Sequence, residues 1–260
     1  MNERLHTRVL VALDRTHPSG ETLRQLPRLL GSAPLEITGL YIEDEDLIRA
    51  ARLPGLREIS LSGQIAELDL DRLRRDIAAE LATVRKAFEE LARKLSLRCR
   101  VEVARGRLSE TLCTAASESD FVLVSRTVRA SGLRPRSAPQ FGPLLHQTRR
   151  VLFVNEPWAS GTTVIVLGDD REAIDTGKRL ADAEGLRLIV ALPRSAPLPP
   201  GLPDACDIVR VSDRSEDAIA DLCLQRDARL LIVSGDDDLD TGTLLTGLMD
   251  RLPCSLLKLA

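Results

Sequence analysis

Aromatic residues are nearly absent: one Trp, one Tyr and four Phe in 260 residues. Aromatic side chains usually carry much of the burial in a core, so this one must be packed from Leu, Val, Ile and Ala. Histidine is scarce, at positions 6, 17 and 146, and the five cysteines (99, 113, 206, 223 and 254) show no C-x-x-C spacing. A structural zinc site needs such residues clustered, and a disulfide framework needs paired, closely spaced cysteines. Neither pattern is present, so the cysteines read as reduced small hydrophobes and no metal site is expected. No apolar run approaches the ~18 residues of a membrane span. No charge surplus exists either: 36 basic residues face 39 acidic ones, for a net charge of −3. Arginines interleave with carboxylates, which points away from nucleic acid and anionic membranes as partners. Met1–His6 leads directly towards a strand with no secretory pattern, so the expected location is the cytoplasm.

What the chain does have is a repeat. The run Val9-Leu10-Val11-Ala12-Leu13-Asp14 returns as Val164-Ile165-Val166-Leu167-Gly168-Asp169, 155 residues later. A later apolar run, Phe121–Ser125, is echoed by Leu230–Ser234, and a closing run, Val151–Val154, by Ser255–Leu259. The repeat unit is far longer than a solenoid period, so it reads as tandem domains rather than an array. The expected boundaries are 1–156 and 162–260, with a linker near 155–161 that contains Trp158. That tryptophan is expected to pack against one of the domains.

In the first copy, apolar periodicity predicts a helix from about Glu21 to Leu30, kinked or shortened by Pro27. A strand over Leu35–Ile42 follows. An acidic segment then begins at Glu43 and reads as a connection, a lid or a partner surface. Leu70, Leu73, Ile77, Leu81, Val84, Phe88, Leu91 and Leu95 recur at intervals of three or four, which predicts a long amphipathic helix over 68–95. Its length, about 42 Å at 1.5 Å per residue, exceeds what one small domain needs. A strand over 98–103, a turn at Gly106, a helix over 108–118 and a strand from Phe121 complete the copy before its final helix and strand. The second copy is compressed. The offset falls from 155 to 109 residues, so 46 are absent, and a Pro-rich stretch from Pro193 to Pro203 stands in place of the long helix. Strands alternating with helices predict parallel βαβ units. The fold class is therefore α/β, with two tandem doubly wound five-stranded parallel-sheet sandwich domains, the second shortened. Ligands on such sheets bind beyond the carboxyl ends of the strands, where Asp14, Ser125, Asp169 and Ser234 fall.

The runs ending in Asp14, Arg105-Gly106-Arg107-Leu108-Ser109-Glu110, Ser119–Ser125 and Leu252-Pro253-Cys254-Ser255-Leu256-Leu257 resemble, in that order, the motifs of universal stress protein domains. The two copies cover nearly the whole chain, as in a tandem universal stress protein of the nucleotide α-hydrolase-like fold. The resemblance implies a pseudo-dimer formed through the last strands. It also implies a stress-response binding or signalling role and, in some members, ATP bound with Mg²⁺ by a Gly-x2-Gly-x9-Gly-(Ser/Thr) loop. Glycine there lets the backbone approach phosphates, and the next helix start holds the anion. The residues that match the nucleotide site of the first domain are Asp14, Ile42, Gly106, Ser125, Arg126 and Ser137. Their second-domain counterparts are Asp169, Gly235, Gly242 and Thr243.

Both loops depart from the pattern. Ser125 and Val128 occupy the two glycine positions of the first copy, and Ser137-Ala138 stand at the closing pair. In the second copy Gly235 is separated from Gly242-Thr243 by a run holding Asp236, Asp237, Asp238 and Asp240, six residues shorter than the pattern. Four carboxylates there would repel a triphosphate unless a cation intervened. Asp236-x-Asp238-x-Asp240 lacks the Gly and the Glu of an EF-hand loop. Thr176-Gly177-Lys178 lacks the first glycine of a P-loop. No nucleophile elbow occurs. The sequence therefore reads as a non-catalytic protein with eroded ATP loops. It would act through protein partners or self-association, by its last strands or its long helix. The alternative is an adenine-nucleotide (ATP or AMP) binder using the first-domain cleft, with slow hydrolysis.

Overall fold

A computed structural model describes residues 6–13, 20–31, 34–53, 55, 57–59, 65–67, 69–126, 137–155, 158, 160–203, 206–234, 239–249 and 251–259. The first half opens with β1 (Thr7–Leu13), α1 (Gly20–Leu30) and β2 (Leu35–Asp44). It continues through α2 (Glu45–Ala50), a two-stranded hairpin of β3 (Arg57–Ile59) and β4 (Ile65–Glu67), and α3 (Leu70–Lys94). It closes with β5 (Arg98–Gly106), α4 (Leu108–Ala116), β6 (Phe121–Arg126), α5 (Ser137–Gln147) and β7 (Val151–Asn155). The second half runs β8 (Thr163–Leu167), α6 (Arg171–Glu184), β9 (Arg187–Pro193), β10 (Cys206–Val211) and α7 (Glu216–Gln225). Its last elements are β11 (Ala228–Ser234), α8 (Leu239–Met249) and β12 (Ser255–Leu259).

Apart from the hairpin, all strands join one ten-stranded sheet in the order β10-β9-β8-β11-β12-β7-β6-β1-β2-β5. Read outward from the centre, each half has the same doubly wound order. Every pairing is parallel except the central one, where β12 meets β7 antiparallel with Leu257 opposite Leu152. The expected pairing of last strands thus occurs inside the chain. The central strands are apolar throughout because helices cover both faces: Val151–Val154, Val164–Leu167 and Leu256–Leu257 are all buried. Two apolar layers result, one on each face, and each runs across both halves.

Helices also cross the central seam, α1 against α6 on one face and α5 against α8 on the other. Arg28 pairs with Glu184, which also holds Arg229 at 3.2 Å, and Arg179 Nη2 donates to the Leu29 carbonyl at 3.3 Å. Lys258, only 3% exposed, reaches from β12 to the end of α5. Its ammonium donates to the carbonyls of Leu145 at 2.6 Å and Thr148 at 3.2 Å. Those carbonyls belong to a helix C-terminus, whose partial negative charge favours a cation. Trp158 of the linker is buried in the core layer that holds α1 and α6.

Several sequence expectations shift. Helix α1 passes through Pro27 uninterrupted, because its buried face of Leu23, Leu26 and Leu29 outweighs the lost backbone bond. Helix α3 is 25 residues long and starts at Leu70. There Asp69 accepts from the backbone N–H groups of Asp71 and Arg72, an N-cap that the leucine spacing alone did not place. Only Val84, Phe88 and Ala92 of α3 are buried. The segment after Ile42 is a helix and a hairpin rather than a plain connection. Gly106 is no turn: it ends β5, in register with Asp44. A Cβ there would lie 2.5 Å from Thr111 Oγ1, so the strand end needs a glycine for close approach. Gly242 and Thr243 lie inside α8 rather than in a loop ahead of it.

Candidate functional site

In the first half the strand order reverses between β1 and β6: β1 continues to β2, whereas β6 continues to β7. In doubly wound sheets such a reversal of strand order marks a crevice at the strands' carboxyl ends. A cleft of about 230 Å³ lies there. Its floor is Ala12 and Leu13 of β1, Leu40 and Ile42 of β2, and Val124 of β6. One wall is Leu108 and Leu112 of α4 with Phe141 of α5, and the opposite side carries Glu80 of α3. Tyr41, Asp44 and Ser125 supply the remaining polar groups.

Ser125 is the feature that needs explaining. It sits near the end of β6, opposite Val154, and lines the cleft. Its Oγ is buried and has no hydrogen-bond partner among the described residues. A hydroxyl left without a partner costs about 1–3 kcal/mol, so the position suits a bound group that donates to or accepts from it. Asp44 caps α2 by accepting from the Asp46 backbone N–H at 2.9 Å. One carboxylate oxygen is engaged in that way, and lone pairs remain. Two described arginines at the end of β5 and the start of α4 are paired: Arg105 to Glu43 at 2.7 Å, and Arg107 to Asp46 and Glu110 at 3.6 and 3.5 Å.

Of the residues expected at the site, Ile42 and Ser125 come together in the cleft. Gly106 lies beside it at the end of β5, Arg126 ends β6 opposite Asn155, and Ser137 opens α5. Asp169 directly follows β8 and Gly168 (φ +112). Asp14 and Gly235 lie outside the described residues, as does the acidic run 236–238. Tyr41, Asp44, Glu80, Leu108, Leu112 and Phe141 were not anticipated. One of them had a sequence signal: Glu80 falls on the apolar stripe of α3 between Ile77 and Val84, where a carboxylate has no packing role.

The second half has the same edge but a different covering. After β9 the Pro-rich stretch is tied down, with Arg210 Nη1 donating to the Pro193 carbonyl at 2.8 Å and Arg171 Nη1 to those of Pro200 and Gly201 at 3.2 Å. Arg171 is the first residue of α6, so this stretch crosses to the carboxyl edge of β8. Ala196 and Leu202 pack into the core beneath it.

A second concavity, about 220 Å³, sits at the opposite sheet edge among His6, Glu36, Arg98, Cys99 and Arg100. Arg100 is held by Glu36, Thr38 and Glu102 there. The cysteines are all free thiols. Burial pushes the Cys99 and Cys113 thiols up. Cys223 is pushed up by its hydrogen bond with Cys254 and then by burial. Raised values keep these sulfurs protonated and poor nucleophiles. Among the described residues no cluster of three or more metal-ligating side chains occurs, and no helix is long and apolar enough to cross a membrane.

These features define a pair of doubly wound units joined through one sheet, with the more open crevice in the first. Solved structures with this arrangement carry a family name. The fold is similar to that of a universal stress protein from Archaeoglobus fulgidus DSM 4304, at 13% identity over 97% of this chain and 95% of that one, with a TM-score of 0.62. It is also similar to a functionally unknown protein from Pseudomonas aeruginosa PAO1, at 16% identity over 97% and 92%, with a TM-score of 0.58. A putative universal stress protein from Pseudomonas aeruginosa UCBPP-PA14 matches at 16% identity over 98% and 92%, with a TM-score of 0.55. The chain thus has the universal stress protein fold. The sequence matches no family model and no curated protein.

Proposed function

We propose that this chain is a non-catalytic binding protein of the universal stress type, whose first half, residues 1–156, carries a small-molecule site. The second half, 162–260, serves as a built-in partner that stiffens the first. The observation that carries this reading is the apolar cleft at the strand-order reversal, with the Ser125 hydroxyl inside it unpartnered among the described residues. The described lining includes no His, Cys, Lys or Arg and is mostly apolar, and a binding role fits that composition better than catalysis. Occupancy of the cleft is the signal that protein partners, or a second copy, would read through the long helix α3.

Adenine-nucleotide binding with Mg²⁺ is the second reading. It is favoured by Ile42 and Ser125, which line the cleft at positions matching nucleotide-binding motifs, and disfavoured by Ser125 and Val128 standing where the loop needs glycine. Mass spectrometry of whatever co-purifies, followed by calorimetric titration of ATP–Mg²⁺, AMP and adenosine, separates the two. Micromolar ATP binding at one site per chain, abolished by Asp14→Ala without unfolding, would establish the nucleotide reading. The expected result is no measurable heat with ATP–Mg²⁺.

A further inference from the structure

Two of the five cysteines meet inside the second half. Cys223 stands in the last turn of α7, and Cys254 in the turn between α8 and β12. Their side chains are hydrogen-bonded to one another. Both are free thiols, 0% and 3% exposed, in one core layer with Ile219, Leu248 and Leu256. Cys99 and Cys206 lie on the two opposite edge strands of the sheet, and Cys113 lies on α4. A disulfide needs two cysteines whose sulfurs the backbone already brings together, and Cys223 and Cys254 meet that condition. Both are buried, yet each is one residue from the surface. Leu224 is 68% exposed, and Pro253 is exposed. A helix's last turn and a turn after a helix open at a lower free energy than core strands do, which gives a small reagent a route to the sulfurs.

We propose that Cys223 and Cys254 form a redox modification site, which a small disulfide oxidant converts from a thiol pair into an intrachain disulfide. One cysteine, as thiolate, attacks the oxidant's S–S bond and releases a thiol, leaving a mixed disulfide. The other cysteine attacks that mixed disulfide and releases the second thiol. One S–S bond breaks and one forms, and the two cysteine protons end on the two released thiols. Excess dithiol reverses the exchange. In the closed state the thiols stay protonated, so the reaction proceeds through the local opening. The site is independent of the first-half cleft and acts on the join instead. Cys254 lies between Pro253, whose carbonyl accepts from Asn155 Nδ2 at 2.7 Å, and Ser255, whose Oγ accepts from the Asn155 N–H at 3.0 Å. Asn155 ends β7 of the first half. The disulfide therefore fastens α7 to the point where the second half grips the first. Ahead of β7 the first half has Arg149 and Arg150, so the device belongs to the second half.

The test incubates the folded full-length protein with oxidised glutathione, then with excess dithiothreitol. Free thiols are counted and non-reduced peptides are mapped by mass spectrometry. The count is expected to fall from five by two, with a Cys223–Cys254 cross-linked peptide recovered, and dithiothreitol should restore it. The bridge closes a roughly 30-residue segment and removes freedom from the unfolded chain, so the melting temperature should rise by about 5 °C or more. Cys254→Ser should abolish both the cross-link and the rise, whereas Cys99→Ser should keep both. Peptide mapping of the unsubstituted protein needs no variant, so it decides the matter even where Cys254→Ser does not fold. Five thiols surviving prolonged oxidation overturn the proposal, as does a bridge through Cys99, Cys113 or Cys206. A bridge that forms only in urea overturns it too, because the native pair would then not be the reacting one. A bridge that leaves the melting temperature unchanged or lower overturns the fastening of α7 to the join.

Discussion

The two halves share a strand order and differ in how they travel from their second strand to their third. In the first half that path runs through α2, a hairpin and the 25-residue α3, which lays Val84, Phe88 and Ala92 on the sheet. In the second it is a short Pro-rich loop pinned by Arg171 and Arg210. The long path leaves a cleft at the carboxyl edge and brings Glu80 of α3 to it, near Asp44 at the end of β2. The short path crosses the same edge and fastens over it. Identical topology therefore does not give equivalent sites: the connection lengths decide what stands over the strand ends, and function lives there.

The largest expected effect separates the halves at their cores. Phe88 is fully buried, and the glycine beneath it, Gly39, has no room for a Cβ, which would lie 2.8 Å from the Phe88 ring. Phe88→Ala should cost about 3–5 kcal/mol in urea unfolding. A loss below ~1 kcal/mol would mean α3 is not a core element. Lys258→Met comes next. It keeps the stem and removes the ammonium, leaving the Leu145 and Thr148 carbonyls without that donor. The expected loss is about 1–3 kcal/mol; no change would show that the cation does not tie the halves together.

A smaller pair of changes exploits a turn both halves use. Helices α3 and α6 close alike, with Leu97 N–H bonded to the Ala92 carbonyl and Leu186 N–H to that of Ala181, both at 2.9 Å. The left-handed residue is Ser96 (φ +55) in the first half and Gly185 (φ +65) in the second. Ser96→Gly should therefore stabilise, and Gly185→Ala destabilise, each by about 1 kcal/mol. Same-sign effects on the melting temperature would contradict the shared geometry.

The smallest effect is acid sensitivity. Backbone hydrogen bonds from Arg72 and Asp71 hold the Asp69 carboxyl below its ordinary 3.8. The hydroxyl and N–H of Ser215 do the same for Asp213. A depressed folded value means the stabilisation is complete above 3.8 and is lost as pH falls through the lower folded value. Both groups are exposed, so the effect is slight. Replacing both by Asn should flatten the acid limb of a circular-dichroism titration, and an unaltered limb would show that neither carboxylate matters.

The regular parts of this fold were readable from sequence because they obey period: the continuous apolar runs became central strands, and Val84 and Phe88 of the long stripe became the buried face of α3, with Leu91 partly buried beside them. The β3–β4 hairpin was not, because three-residue strands carry too little alternation to register. Gly106 misled because glycine marks turns and close approaches alike. At the site, Ile42 and Ser125 were legible through family-like order. Tyr41, Leu108 and Phe141 were not, since any strand end or helix start offers such residues, and only the tertiary packing decides which ones meet.

The antiparallel join of β7 and β12 has a consequence for how such a molecule changes over generations. In a symmetric pair of separate chains every substitution appears twice and must suit both copies at once. Here the pairing is covalently guaranteed, and its effective concentration no longer depends on expression level. A change in one half is therefore not copied into the other, and the two differ by 46 residues between their first and fourth core strands while sharing the join.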